Sequence, residues 1–213
     1  MSKTVGCLVV AAVLVVLALF GVGTYNSLVN SREAVDAQWS NVQSSYQRRA
    51  DLIPNLVATV RGAAQFEQTT LTQVVEARSR VGQVQAQAPA DILNDPQRFA
   101  QFQQAQDQLS SALSRLLVVV ERYPELKAVQ GFQDLMVQLE GTENRINVER
   151  RRFNEVAQSY NAQIRRFPAA LFAGMFGFSP RPYFQSQPGA ETAPRVDFGT
   201  GGGGTASKPG PGQ

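Results

Sequence analysis

Apolar and polar positions divide the chain into three regimes. From Val5 to Val22 the sequence reads VGCLVVAAVLVVLALFGV, eighteen residues without a charge or a strong hydrogen-bonding side chain. At 1.5 Å per residue this is near the lower limit for crossing a hydrocarbon layer of about 30 Å. Between Ser27 and Phe167 apolar residues recur with a period near 3.5. From Ser179 onward proline, glycine and small polar residues dominate, which predicts a disordered tail over 179–213.

The middle regime predicts an all-α fold, with four helical stretches. Leu28, Val35, Trp39, Val42 and Tyr46 mark the first; Ile53, Val57, Val60, Ala64, Leu71, Val74 and Val81 mark the second. Phe99, Phe102, Leu109, Leu113, Leu116 and Val120 mark the third. In the last, Phe132, Leu139, Ile146, Phe153, Tyr160 and Phe167 stand seven apart, supported by Leu135, Met136, Val156 and Ile164. Alternating spacings of 3 and 4 are the seam of a coiled-coil-like bundle. Asp51 with Pro54 starts the second helix, the Pro- and Asp-containing stretch 88–96 separates the second from the third, Tyr123-Pro124 ends the third, and Gly131 precedes the fourth. The first break has an alternative, a single kinked helix, because the stripe runs through Tyr46, Arg49, Ile53 and Val57 in phase. Short connections make neighbouring helices antiparallel. The domain plan is an anchor over 1–24, an up-and-down four-helix bundle over 25–178 and the tail.

The apolar run suits an uncleaved transmembrane anchor. A cleavable signal needs a shorter apolar core and a small-residue exit, whereas this exit is GVGTYNS. A lipoprotein needs its cysteine after the run, and Cys7 stands at its start. Tyr25 sits where an interfacial ring is favoured. Lys3 and Arg32 flank the run almost evenly, so the side on which the bundle lies stays open. An even number of passes returns the fourth helix to the membrane, placing Arg165 and Arg166 near headgroups. The uncharged segment 167–178, with Phe167, Phe172, Phe176 and Phe178, is too short to span. It is either interfacial or a strap across the bundle's own end.

Extending the 3-4 count places polar residues in the seam: Arg32, Arg49, Glu67, Arg78 and Glu149, with Gln106 and Thr142 in weaker positions. Buried charges need partners. Glu67 and Arg78 are about 16 Å apart along one helix, so partners must come from facing helices, with Glu143, Glu149 and Arg150 as candidates. Such residues either set helix register or form a functional polar site inside the bundle.

Composition narrows the chemistry. The 213 residues contain no histidine and one cysteine, which removes a Ser-His-Asp triad, histidine-based zinc and di-iron sites, and an internal disulfide framework. No catalytic, cofactor-binding or metal-binding residue is expected, and no cofactor. The formal net charge is +3 and spread along the chain, which argues against nucleic-acid binding. The charged fraction is only 17%, and 23 glutamines keep the middle soluble. Arg150-Arg151-Arg152 reads as a solvated face, and Gly201–Gly204 lacks the Lys-Ser/Thr of a phosphate loop.

Several motifs resemble the LemA family of bacterial membrane proteins. They are Tyr25-Asn-Ser-Leu-Val29, Trp39-Ser-Asn41, Arg48-Arg-Ala-Asp-Leu-Ile-Pro-Asn-Leu-Val57, Thr59-Val-Arg-Gly62 and Ala77-Arg78. Leu113-Ser-Arg-Leu-Leu117, Glu121-Arg-Tyr-Pro-Glu-Leu-Lys127 and Leu139-Glu-Gly-Thr-Glu-Asn-Arg-Ile146 follow in order. Arg151-Arg-Phe-Asn154, Tyr160-Asn161, Phe167-Pro168 and Phe176-Gly-Phe178 complete a match that extends to about residue 185. The resemblance implies a short N-terminal segment, one transmembrane helix and a soluble antiparallel four-helix bundle in the bacterial cell (inner) membrane. The family often carries tyrosine and histidine after the position of Gly62, where this chain has Ala63-Ala-Gln-Phe-Glu67, and asparagine near Val129-Gln130. It carries no agreed enzymatic activity.

Two functions fit. One is a membrane-anchored scaffold or adaptor binding envelope proteins or lipids, with a possible homo-oligomer. The other is a membrane-remodelling protein acting through Arg165, Arg166 and 167–178. An enzyme built on carboxylates alone, such as Glu67 with Glu143, has no evident substrate cleft.

Overall fold

The computed structural model describes residues 3–62, 67–87 and 92–185. They form α1 (Lys3–Arg61), α2 (Gln68–Gln87), α3 (Pro96–Val120), α4 (Pro124–Lys127), α5 (Gln130–Arg165) and α6 (Ala169–Ala173), with no strand among the described residues.

The expected break between the first two helices is absent. The 59 residues of α1 run unbroken from the apolar stretch through Pro54 to Arg61, about 88 Å. The buried stripe Leu28, Val35, Trp39, Val42, Tyr46, Ile53, Val57 and Val60 stays in phase throughout, so interrupting the helix would take one end of the stripe out of the core. Proline has no N–H to donate, which leaves the Ala50 carbonyl without its helical partner. Arg78 on α2 replaces that donor, its Nε lying 3.1 Å from the Ala50 oxygen. The break comes later, between Arg61, where α1 ends, and Gln68, where α2 begins, inside the expected second helix; Ala64 of that stripe lies outside the described residues.

The later punctuation agrees with expectation except at Gly131, which lies in the first turn of α5 rather than before it. Asp95 caps α3, its Oδ1 accepting from the Gln97 and Arg98 amides at 2.9 and 3.2 Å, with Pro96 in the first turn. Pro124 opens the short α4, and α5 begins at Gln130.

The bundle is antiparallel and up-and-down. Arg49 on α1 meets Gln106 and Ser110 on α3, and Trp39 meets Phe99 and Phe102, so these two helices run in the same direction. Glu143 on α5 meets Arg49, while Gln163, twenty residues later, bonds Ser27 and Ser31; α5 therefore runs the opposite way. Arg78 reaches back to Ala50 and Arg80 to Gln108, which sets α2 against both neighbours.

Two apolar clusters fill the interior. The distal one, far from the apolar end of α1, takes Ile53, Leu56, Val60, Val74, Leu109, Leu116 and Leu139 from all four long helices. The proximal one combines aliphatic residues such as Leu28, Val35, Val42 and Ile146 with a set of rings: Trp39, Tyr46, Phe99, Phe102, Phe153, Tyr160, Phe178 and Phe184.

The last two of these aromatics revise the expected tail. Residues 179–185 run extended along the bundle, so the expected boundary at 179 is too early; 186–213 lie outside the described residues. Phe184 packs against Phe99, Phe153 and Trp39, at centroid distances of 4.8, 5.5 and 6.1 Å. Two asparagines hold this strap. Asn154 brackets the backbone of Phe184, accepting from its N–H and donating to its carbonyl, both at 2.9 Å. Asn161 does the same for Arg181 at 2.8 Å. Seven helical residues rise about 10 Å and three extended residues span about the same, so both clamps engage one straight segment.

Candidate functional site

Three features stand out: a polar layer between the clusters, an apolar collar around the base of α1, and the strap's attachment beside that collar.

The polar layer centres on Arg49, only 1% exposed. Its Nη1 donates to Glu143 Oε2 at 2.8 Å and to Ser110 Oγ at 2.7 Å, and its Nη2 bonds the Gln106 side-chain oxygen. Its guanidinium lies 5.2 Å from the Tyr46 ring centroid. Six residues further along α5, Glu149 is buried and accepts from Gln38 Nε2 at 2.7 Å, while Arg152 and Arg145 reach it at 3.5 and 3.9 Å. Thr142 is also buried and donates to Gln138 O, one turn back. Burial pushes the Tyr46 hydroxyl up to about 12, against the opposing pull of Arg150 and Arg49. A charged group at a bundle centre stabilises only the register that brings its partners to it.

Of the expected seam residues, Arg49, Glu143 and Glu149 lie in or beside this layer, together with Gln106 and Thr142. Glu67 and Arg78 do not. Glu67 is exposed and pairs with Arg122 at 3.4 Å. Arg78 is exposed and serves the carbonyl freed by Pro54. Leu71, Val74 and Val81 of the same count are buried, but Glu67 stands ahead of the first residue of α2, and beside Arg78 the inward place is taken by Ala77. Arg150 departs from the solvated-face expectation: it pairs with Asp107 at 3.3 Å and covers the Phe184 ring at 4.6 Å. Arg151 and Arg152 are exposed.

The collar forms where α5 returns beside α1. Phe167 continues the heptad in sequence, but α5 ends at Arg165, and Phe167 is 82% exposed. One side of the segment packs inward. Ala169, Ala173 and Phe178 are buried, and the Phe172 ring lies 3.8 Å from where a Cβ on Gly21 would stand. Tyr25 meets Phe176 and Phe178 edge-on, at 5.1 and 5.7 Å. The other side, with Phe167, Leu171 and Met175, faces outward, as do Arg165 and Arg166. The expected interfacial aromatics thus divide: Phe178 belongs to the core, Phe172 is half-buried against α1, and Phe167, Phe176 and Tyr25 are exposed. Between residues 5 and 27 of α1 no described side chain is buried, and one 18-residue window there is long and apolar enough to cross a membrane.

Sequence reasoning missed the strap residues Arg181 and Phe184 and their clamps. The signal was the repeat of asparagine at 154 and 161, one heptad apart beside the apolar stripe. Among the described residues no group of three or more His, Cys, Asp or Glu is placed to hold a metal ion.

The sequence signature of the LemA family matches residues 38–198. The chain is 29% identical over 204 residues to the magnetosome protein MamQ 2 of Paramagnetospirillum magneticum, covering 88% of this chain and 75% of that one. It is 28% identical over 182 residues to the magnetosome protein MamQ of Magnetospirillum gryphiswaldense, covering 79% and 67%. Protein LemA of Metamycoplasma hominis is 23% identical over 146 residues, covering 68% of this chain and 62% of that protein.

Proposed function

The chain belongs to the LemA family, and from that membership we propose that this membrane-associated helical protein is a non-enzymatic scaffold or adaptor of the bacterial cell envelope. It is held in the inner membrane by a single span and presents its bundle to envelope proteins or to a second copy of itself. The observation that carries this reading is the continuity of α1. One helix serves both as the apolar span and as the first helix of the bundle, so the bundle stands at a set height and angle above the membrane. Such a rigid coupling suits a protein that positions others. It also favours an uncleaved anchor, since cleavage after the apolar run would cut within a helix.

The test is crosslinking in intact membranes followed by purification of the full chain. A reproducible partner or homo-oligomer, lost when exposed polar residues of the bundle are substituted, is the expected result. Absence of any specific crosslink overturns the scaffold. A reporter fused to the C-terminus identifies the compartment.

A second reading, membrane remodelling, is favoured by the outward side of the collar, where Phe167, Leu171 and Met175 are exposed beside the span. Apolar side chains at that level wedge into the outer part of a leaflet. Substituting all three by serine should abolish vesicle tubulation if remodelling is the activity. It should leave the crosslinking pattern intact if scaffolding is.

A further inference from the structure

Buried polar side-chain atoms without a hydrogen-bond partner form two groups among the described residues. Tyr46 Oη, Arg49 Nε and Gln106 Nε2 belong to the polar layer. Trp39 Nε1, Tyr160 Oη and Arg181 Nε belong to residues that line one cavity, of about 600 Å³. This cavity lies between α1, the turn 92–94, α5 and the start of the strap, with Arg32, Asp36 and Asn94 also in its wall.

The three orphans share a chemical character. An indole N–H and a guanidinium Nε–H only donate, and a phenol donates readily. A buried donor with no acceptor costs roughly 1–3 kcal/mol, and these three atoms are shielded from solvent, so water does not offset that cost. The charge around them is also unbalanced. Arg181, its side chain 6% exposed, donates through Nη2 to Asp36 at 3.3 Å and through Nη1 to Asn94. Arg32 rests over the Phe178 ring at 5.4 Å and makes no ion pair among the described residues. Two guanidiniums therefore face one carboxylate, which is already engaged.

We propose that this cavity binds a small anion through phosphate or carboxylate oxygens, which take the hydrogen bonds left unmade by Tyr160, Arg181 and Trp39 while Arg32 and Arg181 balance the charge. Because the three orphan atoms lie behind the cavity surface, engaging them takes a side-chain rotation, with Arg181 pivoting on its clamp to Asn161. The volume exceeds that of a bare ion and suits a small organic phosphate or carboxylate. Two sources share this chemistry: a free solute and a lipid headgroup. Arg32 stands ten residues beyond Val22, about 15 Å along α1, whereas headgroups extend only roughly 5–7 Å past the hydrocarbon. That height favours a solute.

Trp39 is the only tryptophan in the chain, so its emission reports on the cavity directly. The full chain is placed in phosphatidylcholine nanodiscs and titrated with inorganic phosphate at constant ionic strength. A second preparation uses discs containing phosphatidylglycerol without phosphate. A saturable change in Trp39 emission is expected with phosphate. Arg32→Gln should weaken it by at least about tenfold and Tyr160→Phe by about 3- to 10-fold, with thermal melting unchanged. Arg151→Gln, which removes an exposed charge elsewhere, should leave it intact. The same change produced by phosphatidylglycerol alone, and lost in Arg32→Gln, assigns the site to a lipid headgroup. No change with either probe, or equal weakening by Arg32→Gln and Arg151→Gln, overturns the site.

Discussion

The two halves of the bundle solve the same packing problem differently. In the distal half four helices interlock through aliphatic side chains at heptad spacing. In the proximal half α2 contributes almost nothing, and the space beside α1, α3 and α5 is filled by Ile92 and Leu93 of the turn, Ala169 and Ala173 of α6, and the Phe178 and Phe184 rings, which join those of Trp39, Phe99 and Phe153. Aliphatic layers need only the right period on each helix. Rings need particular partners at particular angles, and here those partners come from residues as distant in sequence as Trp39 and Phe184. The proximal half is also where the collar, the cavity and three unpartnered donors lie. Packing by long-range contacts leaves irregular space, and irregular space is what a binding site requires.

Removing the strap should break this contrast most visibly. Truncation after Gly177 deletes Phe178, Arg181 and Phe184; hydrogen exchange should accelerate across residues 28–46 of α1 while 53–60 stay protected. Uniform loss of protection would mean that the halves fold as one cooperative unit. Within the retained strap, Trp39→Ala should cost about 3–5 kcal/mol and Leu116→Ala about 2–5 kcal/mol by chemical denaturation.

The junction between the halves comes next in size. Glu143 is 42% exposed at its side chain whereas Arg49 is buried, so the two partners are not equivalent. Glu143→Gln strands a buried cation and should cost about 2–3 kcal/mol. Replacing Arg49 by methionine together with Gln106 by leucine joins the two apolar clusters. That pair should be neutral or stabilising, with any penalty appearing as loss of a single register. A cost above that of Glu143→Gln would contradict the assignment of the layer to register.

A smaller effect concerns Pro54. Arg78→Ala leaves the Ala50 carbonyl without a donor and should cost about 1 kcal/mol. Pro54→Ala restores the helical N–H, so in that background the Arg78 substitution should cost much less. A double-mutant cycle without coupling would show that Arg78 acts elsewhere.

The smallest effect lies at alkaline pH. Tyr46 has a folded pKa of about 12 against an ordinary value of 10.0. Its contribution is therefore complete below pH 10 and is lost as pH rises through 12. Tyr46→Phe should be close to neutral at pH 7, because the hydroxyl has no partner, and should lessen the fall in melting temperature between pH 10 and 12. Burial raises Tyr160 as well, so part of the fall should remain.

Much of the fold was legible in the sequence because helix period and membrane length are local properties. Eighteen uncharged residues make a helix long and apolar enough to cross a membrane, and alternating 3-4 spacing identifies helices and their inward faces whatever lies opposite. Phe132 through Tyr160 are buried as the heptad requires. Where helices end is less local. Asp51 with Pro54 has the form of a helix start, yet no new helix begins there: the buried stripe stays in phase through it, and Arg78, 24 residues later, supplies the donor that Pro54 lacks. Glu67 and Arg78 face outward to Arg122 and the Ala50 carbonyl although Leu71, Val74 and Val81 of the same count are buried, because period alone does not say which seam position a neighbouring helix covers.

By itself, then, the sequence determined the all-α class, the apolar span, the inward stripe and the presence of charge within it. Tertiary structure alone decided that span and first bundle helix are one rod, which carboxylate faces Arg49, which collar aromatics turn inward, and that residues 179–185 return to complete the core. The division has one physical cause. Periodicity sets which side of a helix avoids water, whereas hydrogen bonds, ring contacts and charge pairs depend on what the folded chain brings to that side.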